Sequence, residues 1–258
     1  MSGFQLEVHR ISRHFGGLRA LNDVSFVVPP AQICAVIGPN GAGKSTLLNI
    51  LSGVTPPSAG TITLGGQRLD RLPAHRRVVA GMARTFQNLQ LFDELSVLEN
   101  VMIGAHTRSR SGFVSGLFGS SGARRDTASA RQTALQLLDR LGLADRAHAS
   151  AQSLSYGEAK IMEIARAMAS EPRILLLDEP LAGLPGGAVE RVAQVVVDLN
   201  RDGTSIVLVE HNVRVVMQLS HQVVVLSNGE LISKGTAQHV QTDPAVIEAY
   251  LGEPVDDA

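Results

Sequence analysis

The sequence is poor in several residue types whose presence would have suggested other functions. Its 258 residues include no tryptophan and one cysteine, and only three of its 23 basic residues are lysines. The single cysteine, Cys34, excludes an internal disulfide and cannot form a zinc site by itself. The 23 basic and 24 acidic residues give a net charge of -1, which argues against a protein that binds nucleic acid through a basic surface.

A long apolar segment is also absent from the sequence. No run approaches the roughly 18 apolar residues that cross a bilayer. The segment from Met1 to Arg10 lacks the apolar core of a signal peptide. We therefore expect a cytoplasmic chain, which another protein would have to hold at a membrane if it acts there.

The residues that are present predict a packed α/β protein. With 44% hydrophobic and 18% charged residues, the chain has the composition of a globular protein rather than a disordered one. Short apolar runs alternate with helical segments, which is typical of the α/β class. The dipeptide Asn228-Gly229 predicts a hairpin near the end of the chain. The predicted strands are Gln5–Ile11, Val24–Val28, Ile33–Ile37, Thr61–Leu64, Ile174–Leu177, Ser205–Val209 and Val223–Leu226.

Helical signals dominate residues 88–170. Ser96 and Glu99 form an S-x-x-E capping box at the start of a predicted helix that ends at Ala105. A second predicted helix, Asp126–Leu141, has its apolar residues on one face. We therefore predict a helical subdomain inserted at about 88–170 into one α/β body.

Within that region the segment Thr107–Arg125 is rich in serine, glycine and arginine. Such a composition predicts a flexible surface loop. Phe113, Leu117 and Phe118 are unusual in a spacer, so a loop that docks on a partner remains open as the alternative.

The most specific motif follows the apolar run Ile33–Ile37. The pattern G-x-x-x-x-G-K-[ST], between a predicted strand and a predicted helix, is formed by Gly38, Pro39, Asn40, Gly41, Ala42, Gly43, Lys44 and Ser45. Its glycines let successive N–H groups face phosphate oxygens, and the following helix presents its positive N-terminus to the same anion. Lys44 would reach the β and γ phosphates, and Ser45 would ligate Mg²⁺. The motif predicts that the chain binds a nucleoside triphosphate. It does not indicate which process the energy of hydrolysis drives.

Two further segments have the chemistry of a nucleotide site. The apolar run that ends in Asp178 and Glu179 would deliver the first carboxylate to the Mg²⁺ shell, while the second could orient or deprotonate a water. Ser155 and Glu158 form another capping box, which is either a second anion-binding helix N-terminus or only a capped helix.

Three single residues are ambiguous when each is taken alone. His211 follows a predicted strand, where a structural histidine is the more usual case. Gln87 could be an exposed polar residue, and Phe15 could be a core aromatic.

Together these features resemble the ATPase subunits of ABC transporters, along the whole chain and in the family's order. They are Phe15, Gly38 to Thr46, Gln87, Leu154 to Glu158, Asp178-Glu179, and His211. The resemblance implies a P-loop NTPase fold with a RecA-like core, an N-terminal antiparallel β subdomain and an inserted helical subdomain. It implies ATP and Mg²⁺ as ligands, with Phe15 stacked on adenine, Gln87 linking Mg²⁺ to a transmembrane partner, and His211 contacting the γ-phosphate.

The resemblance also implies the partners. Ser155 and Gly157 would bind the γ-phosphate held by an opposite subunit, so the working unit would be a head-to-tail pair with ATP between its members. The second ATPase subunit could be another copy or a paralogue. Transmembrane permease subunits would hold the pair at the inner face of the membrane, and a periplasmic binding protein would act only indirectly.

Finer features resemble the ATPases of branched-chain amino-acid importers. They are the segments Phe15–Leu21, Arg84–Gln87 and Pro244–Gly252, together with the loop Thr107–Arg125, which suggests the longer of the two ATPase types in such systems. Urea importers and a lipopolysaccharide-export ATPase have similar sequences and remain alternatives. Tyr156, Glu158 and Pro185 depart from the family pattern; Pro185 stands where many members have aspartate.

Other functional classes fit less well. A soluble ABC ATPase of DNA repair or translation usually has two cassettes, a coiled-coil insert or a basic surface. A GTPase would need an N-K-x-D motif, which the sequence lacks. A catalytically inactive binding subunit would not need Lys44, Asp178, Glu179 and His211 together.

Overall fold

Two β-sheets form the framework of the structure, a computed structural model that describes residues 4–85, 89–105 and 121–251. The first sheet contains β1 (Leu6–Phe15), β2 (Leu18–Val28), β4 (Ala59–Leu64) and β5 (Gln67–Arg68). Its strand order is β2-β1-β4-β5, and the pairings are antiparallel.

The second sheet holds the centre of the molecule. It contains β3 (Ile33–Ile37), β6 (Met82–Arg84), β7 (Ile174–Asp178), β8 (Ser205–Val209), β9 (Gln222–Ser227) and β10 (Glu230–Gly235). The order is β10-β9-β3-β8-β7-β6, parallel except for the β9–β10 hairpin. Asn228 and Gly229 turn that hairpin with φ of 49° and 79°, so the hairpin predicted from this dipeptide is confirmed.

The described helices are α1 (Lys44–Ser52), α2 (Ala74–Val79), α3 (Val97–Ala105), α4 (Ser121–Arg140), α5 (Tyr156–Met168), α6 (Gly186–Arg201), α7 (Val213–Leu219), α8 (Ala237–Gln241) and α9 (Pro244–Leu251). Between β6 and β7 the described residues form α3, α4 and α5 and two short 3-10 turns. In the described parts of the chain, no helix is both long and apolar enough to span a membrane.

The central strands are buried on both faces, as their continuous apolar runs predict. All five residues of β3, β7 and β8 are buried. Along β7, Leu175 and Leu177 pack with α3 to α6, whereas Leu176 packs with α1 and the antiparallel sheet. In β3, burial raises the pKa of the Cys34 thiol to about 12, so this cysteine is a protonated core residue.

The first two predicted strands are too short. The strands predicted at Gln5–Ile11 and Val24–Val28 are parts of a longer hairpin, in which β1 runs to Phe15 and β2 begins at Leu18. The extension is partly exposed, so backbone pairing continues there without an apolar alternation to signal it.

Helix α4 begins at Ser121, not at Asp126 as predicted, because helix-forming residues follow its serine and glycine. The predicted loop Thr107–Arg125 therefore overlaps this helix at its end, and residues 107–120 lie outside the described part of the chain. The docking role of the loop stays a prediction, as do the bounds of the helical subdomain.

Candidate nucleotide-binding site

The loop between β3 and α1 has a shape that only small residues allow. Gly41 and Gly43 have φ of 77° and 101°, in the region that favours glycine. A Cβ on Gly38 would lie 2.1 Å from the backbone oxygen of Leu226, and one on Gly43 would lie 2.8 Å from that of Ala20. The glycines of the motif therefore let this loop pass close to two other backbone segments.

Lys44 is the first residue of α1, and its side chain returns across the loop. Its ammonium donates to the carbonyl oxygens of Gly38 at 2.5 Å and Pro39 at 2.8 Å. The residue is only 6% exposed, so its positive charge is held against the loop in a largely dry environment. Ser45 and Thr46 follow in the first turn of α1.

An open cleft of about 650 Å³ lies over this loop. Besides the loop itself, the cleft is lined by residues of the β1–β2 hairpin, by Glu179 and His211, and by the β9–β10 turn. Its lining residues are Phe15, Leu18, Arg19, Ala20, Asn40, Gly41, Ala42, Gly43, Lys44, Ser45, Thr46, Glu179, His211, Asn228 and Gly229. The cleft therefore unites segments that are distant in sequence.

Phe15 is a surface aromatic of this cleft, not a core residue. It is 47% exposed, and the Arg13 guanidinium lies 4.5 Å from the centre of its ring. An exposed ring beside a phosphate loop can stack on a base. Its predicted contact with adenine stays a prediction.

Asp178 is the last residue of β7 and is 3% exposed. Its Oδ2 accepts a hydrogen bond from Arg84 Nη2 at 2.8 Å, in a buried ion pair. Its Oδ1 is buried and has no hydrogen-bond partner among the described residues. A buried carboxylate oxygen is rarely left in this state unless it has another ligand to bind.

Glu179 and His211 form a direct pair across two strand ends. Glu179 Oε1 and His211 Nε2 lie 2.6 Å apart, and Glu179 adopts a left-handed backbone conformation with φ of 49°. A non-glycine residue in this region is uncommon and is often found at functional sites. The pair faces the cleft from the ends of β7 and β8.

Glu210 is a buried residue that was not among the site residues predicted from the sequence. Its carboxylate accepts hydrogen bonds from Leu181 N at 2.7 Å and His211 N at 3.3 Å, which joins the loop after Glu179 to the segment of His211. Burial raises the pKa of the Glu210 carboxyl. The available signal was the one that identified Asp178, a carboxylate at the end of an apolar strand.

Ser155 and Gly157 do not line the cleft. They lie at the N-terminus of α5, where Ser155 and Glu158 form the predicted capping box, and the hydrogen bond from Ser155 N lowers the pKa of Glu158. A Cβ on Gly157 would lie 3.0 Å from that of Ala188, so close packing on α6 also favours glycine there. Gln87 lies outside the described residues.

Comparison with known proteins places this geometry in a family. The family model described as "ABC transporter" matches residues 21–182, and one described as "Branched-chain amino acid ATP-binding cassette transporter" matches residues 230–256. The chain belongs to the ABC transporter family. It is an ATP-binding cassette of that family, and the predicted fold and resemblance are confirmed.

Individual relatives are similar over nearly the whole chain. The High-affinity branched-chain amino acid transport ATP-binding protein LivG of Escherichia coli (strain K12) is 39% identical over 98% of this chain and 100% of that protein. The ADP conformation of MJ1267, an ATP-binding cassette of an ABC transporter, aligns with a TM-score of 0.85 at 30% identity, over 97% and 99% of the two chains. A dimeric cassette, MJ0796, bound to ADP and Pi, aligns with a TM-score of 0.74 at 25% identity, over 90% and 98%.

The buried lysine of the cassette gives a first prediction. Lys44→Ala should weaken ATP binding by about 10- to 100-fold, because it removes a charged donor from the phosphates. Isothermal titration with ATP measures the change. The exposed Lys234, on β10 outside the cleft, supplies the control, since Lys234→Ala removes the same charge elsewhere. Wild-type affinity in Lys44→Ala would contradict the assigned phosphate site.

Phe15 gives a second prediction. Phe15→Ala should lower ATP affinity by about tenfold or more, since stacking of a base is worth about 1–3 kcal/mol. It should also reduce the preference for ATP over GTP. Phe92→Ala is the control, because Phe92 is similarly exposed, at 49%, but lies outside the cleft. Equal affinities in the two variants would mean that Phe15 does not contact the base.

Proposed function

We propose that this chain is the ATP-binding and ATP-hydrolysing subunit of an ABC importer for branched-chain or related amino acids. The observation that carries the proposal is the convergence of the phosphate loop, Phe15 and the Glu179–His211 pair on one cleft. Similarity to LivG, and the family match at residues 230–256, support the amino-acid substrate class.

The residues at the site fit a bound Mg²⁺. Asp178 offers a buried carboxylate oxygen without a partner among the described residues, and Ser45 lies in the first turn beside Lys44. Oxygen donors of these two kinds are the ligands that Mg²⁺ takes together with nucleotide phosphates. When bound, the ion would offset negative charge on the phosphates. We propose Ser45, Asp178 and Gln87 as the residues that hold it.

We assign phosphate binding to Lys44, and activation of the attacking water to Glu179 with His211. Lys44 would exchange its two carbonyl acceptors for phosphate oxygens, which a flexible side chain with three donors can do without moving the loop. Glu179 would orient the attacking water and accept its proton, and His211 would hold Glu179 in place and contact the γ-phosphate. Their 2.6 Å separation allows both roles to be filled by one hydrogen-bonded pair.

One copy offers only part of this arrangement. Ser155 and Gly157 lie outside the cleft that holds the phosphate loop, which supports their proposed action on the nucleotide of an opposite subunit. ATP-dependent closure of a head-to-tail pair would then drive the transmembrane permease subunits. In this proposal the chain lies at the inner face of the membrane, held by the permease, and a periplasmic binding protein delivers the solute.

Glu179 gives the sharpest test of chemistry. Glu179→Gln keeps the shape of the side chain and removes its basicity, so ATP affinity should stay near normal while hydrolysis falls by about 10²- to 10⁴-fold. A phosphate-release assay and an ATP titration separate the two effects. Glu248→Gln, at an exposed position on α9, makes the same change away from the cleft. Hydrolysis near the wild-type rate in Glu179→Gln would place the base elsewhere.

The substrate class needs a transport assay. With its permease chains and its binding protein in vesicles, and ATP supplied on the side of the cassette, we expect uptake of radiolabelled leucine, isoleucine or valine. The Glu179→Gln cassette should abolish that uptake and serves as the control for leakage. Uptake of urea but none of the three amino acids would overturn the substrate assignment while leaving the ATPase role intact.

A further inference from the structure

Arg84 is a buried cation at the end of β6, next to the proposed metal site. Its side chain is 8% exposed. One end of the guanidinium, Nη1, donates to Asn49 Oδ1 at 2.7 Å and to Ser52 Oγ at 2.9 Å, both on α1. The other end, Nη2, donates to Asp178 Oδ2 at 2.8 Å. One planar group therefore joins the helix of the phosphate loop to the strand of the acidic residue.

This contact decides which oxygen of Asp178 is available. Arg84 occupies Oδ2, and Oδ1 has no hydrogen-bond partner among the described residues. The backbone around the carboxylate is also fixed, since Asp178 lies opposite Val209 in the β7–β8 ladder. The guanidinium thus limits rotation of the carboxylate and leaves one defined oxygen for a cation.

We infer that Arg84 is a positioning residue for the metal: it holds Asp178 so that Oδ1 can bind Mg²⁺ beside the nucleotide. The inference rests on the proposed function, in which Asp178 is the metal ligand. Groups that orient metal ligands in this way are worth about 10- to 100-fold in metal affinity.

A lysine at position 84 could not contact α1 and Asp178 in the same way. An ammonium is a point charge, whereas the rigid guanidinium reaches Asn49 and Ser52 with one nitrogen and Asp178 with another. Orientation and charge can therefore be separated, because Arg84→Lys keeps the charge and loses the geometry, and Arg84→Met loses both.

A purely electrostatic role and a positioning role for Arg84 predict different effects of these variants on metal affinity. If Arg84 only competed with the metal as a nearby positive charge, Arg84→Met would strengthen metal binding and Arg84→Lys would leave it unchanged. If Arg84 orients Asp178, both variants should weaken metal binding.

The experiment measures Mn²⁺ binding to the cassette by electron paramagnetic resonance at saturating ATP, and ATP affinity in EDTA by titration. We expect Mn²⁺ affinity to fall by about 10- to 100-fold in Arg84→Met and Arg84→Lys. ATP affinity in EDTA should stay within about twofold of wild type, since Arg84 does not line the nucleotide cleft. Mn²⁺ affinity that is unchanged or higher in both variants would overturn the inference.

Arg77 supplies a matched control. It is also a buried arginine that binds α1, since its Nη1 donates to the carbonyl oxygens of Ile50 at 2.5 Å and Leu51 at 2.7 Å. Arg77→Met should lower the melting temperature without changing Mn²⁺ affinity. An equal loss of Mn²⁺ binding in Arg77→Met and Arg84→Met would mean that the effect is general loosening of α1, and the inference would fail.

Two further variants keep the test decisive if Arg84→Met does not fold. Asn49→Ala and Ser52→Ala each remove one anchor of the guanidinium while keeping the Arg84–Asp178 pair, and together they should weaken Mn²⁺ binding by a smaller factor.

Asp178→Asn separates this inference from the proposed function. If Asp178→Asn binds Mn²⁺ with wild-type affinity, the proposed metal site is wrong. If Asp178→Asn weakens Mn²⁺ binding but the Arg84 variants do not, the metal site stands and the positioning role of Arg84 is wrong.

Discussion

The nucleotide cleft depends on the parallel register of three short strands. In the ladders, Val36 of β3 lies opposite Val209 of β8, and Val209 lies opposite Asp178 of β7. All three strands end at the same edge of the sheet, because they are parallel. The phosphate loop follows Ile37 at the end of β3, Asp178 ends β7 and is followed by Glu179, and Glu210-His211 follow β8, so the strand pairing brings these residues close together. A shift of one residue in any strand would turn its side chains to the opposite face.

Burial then determines how the charges at that edge are arranged. Lys44, Asp178 and Glu210 are each less than a tenth exposed, and an unpaired charge in such surroundings is costly. Each has a defined partner: Lys44 binds loop carbonyls, Asp178 binds Arg84, and Glu210 accepts two backbone N–H groups. These three side chains are therefore held in place by other groups of the protein. Under the proposed function, a nucleotide and its metal ion would find Lys44 and Asp178 already positioned, which reduces the entropy lost on binding.

The sequence predicted those parts of the site that one continuous segment carries. The phosphate loop, the apolar strands before it and before Asp178, and the two capping boxes all depend on residues within a few positions of one another. The Arg84–Asp178 pair spans 94 residues and Arg84–Asn49 spans 35, and no local pattern reports such contacts. The length of the β1–β2 hairpin was missed for a related reason, because partly exposed strand residues have no apolar alternation, although this hairpin carries Phe15 into the cleft.

The turn between β9 and β10 shows how the rest of the chain reaches the cleft. Gly229 N donates to Ala42 O in the phosphate loop at 3.1 Å, and Gly229 O accepts from Asn22 N of β2 at 2.8 Å. Glu230 binds the Asn22 side chain at 2.7 Å. The turn therefore braces the phosphate loop against the sheet that presents Phe15. The segment that matches the branched-chain amino-acid family, residues 230–256, follows this turn, and its described elements β10, α8 and α9 do not line the cleft. That family match therefore comes from a part of the chain whose described residues contact the nucleotide cleft only through the turn, where Gly229 binds the phosphate loop.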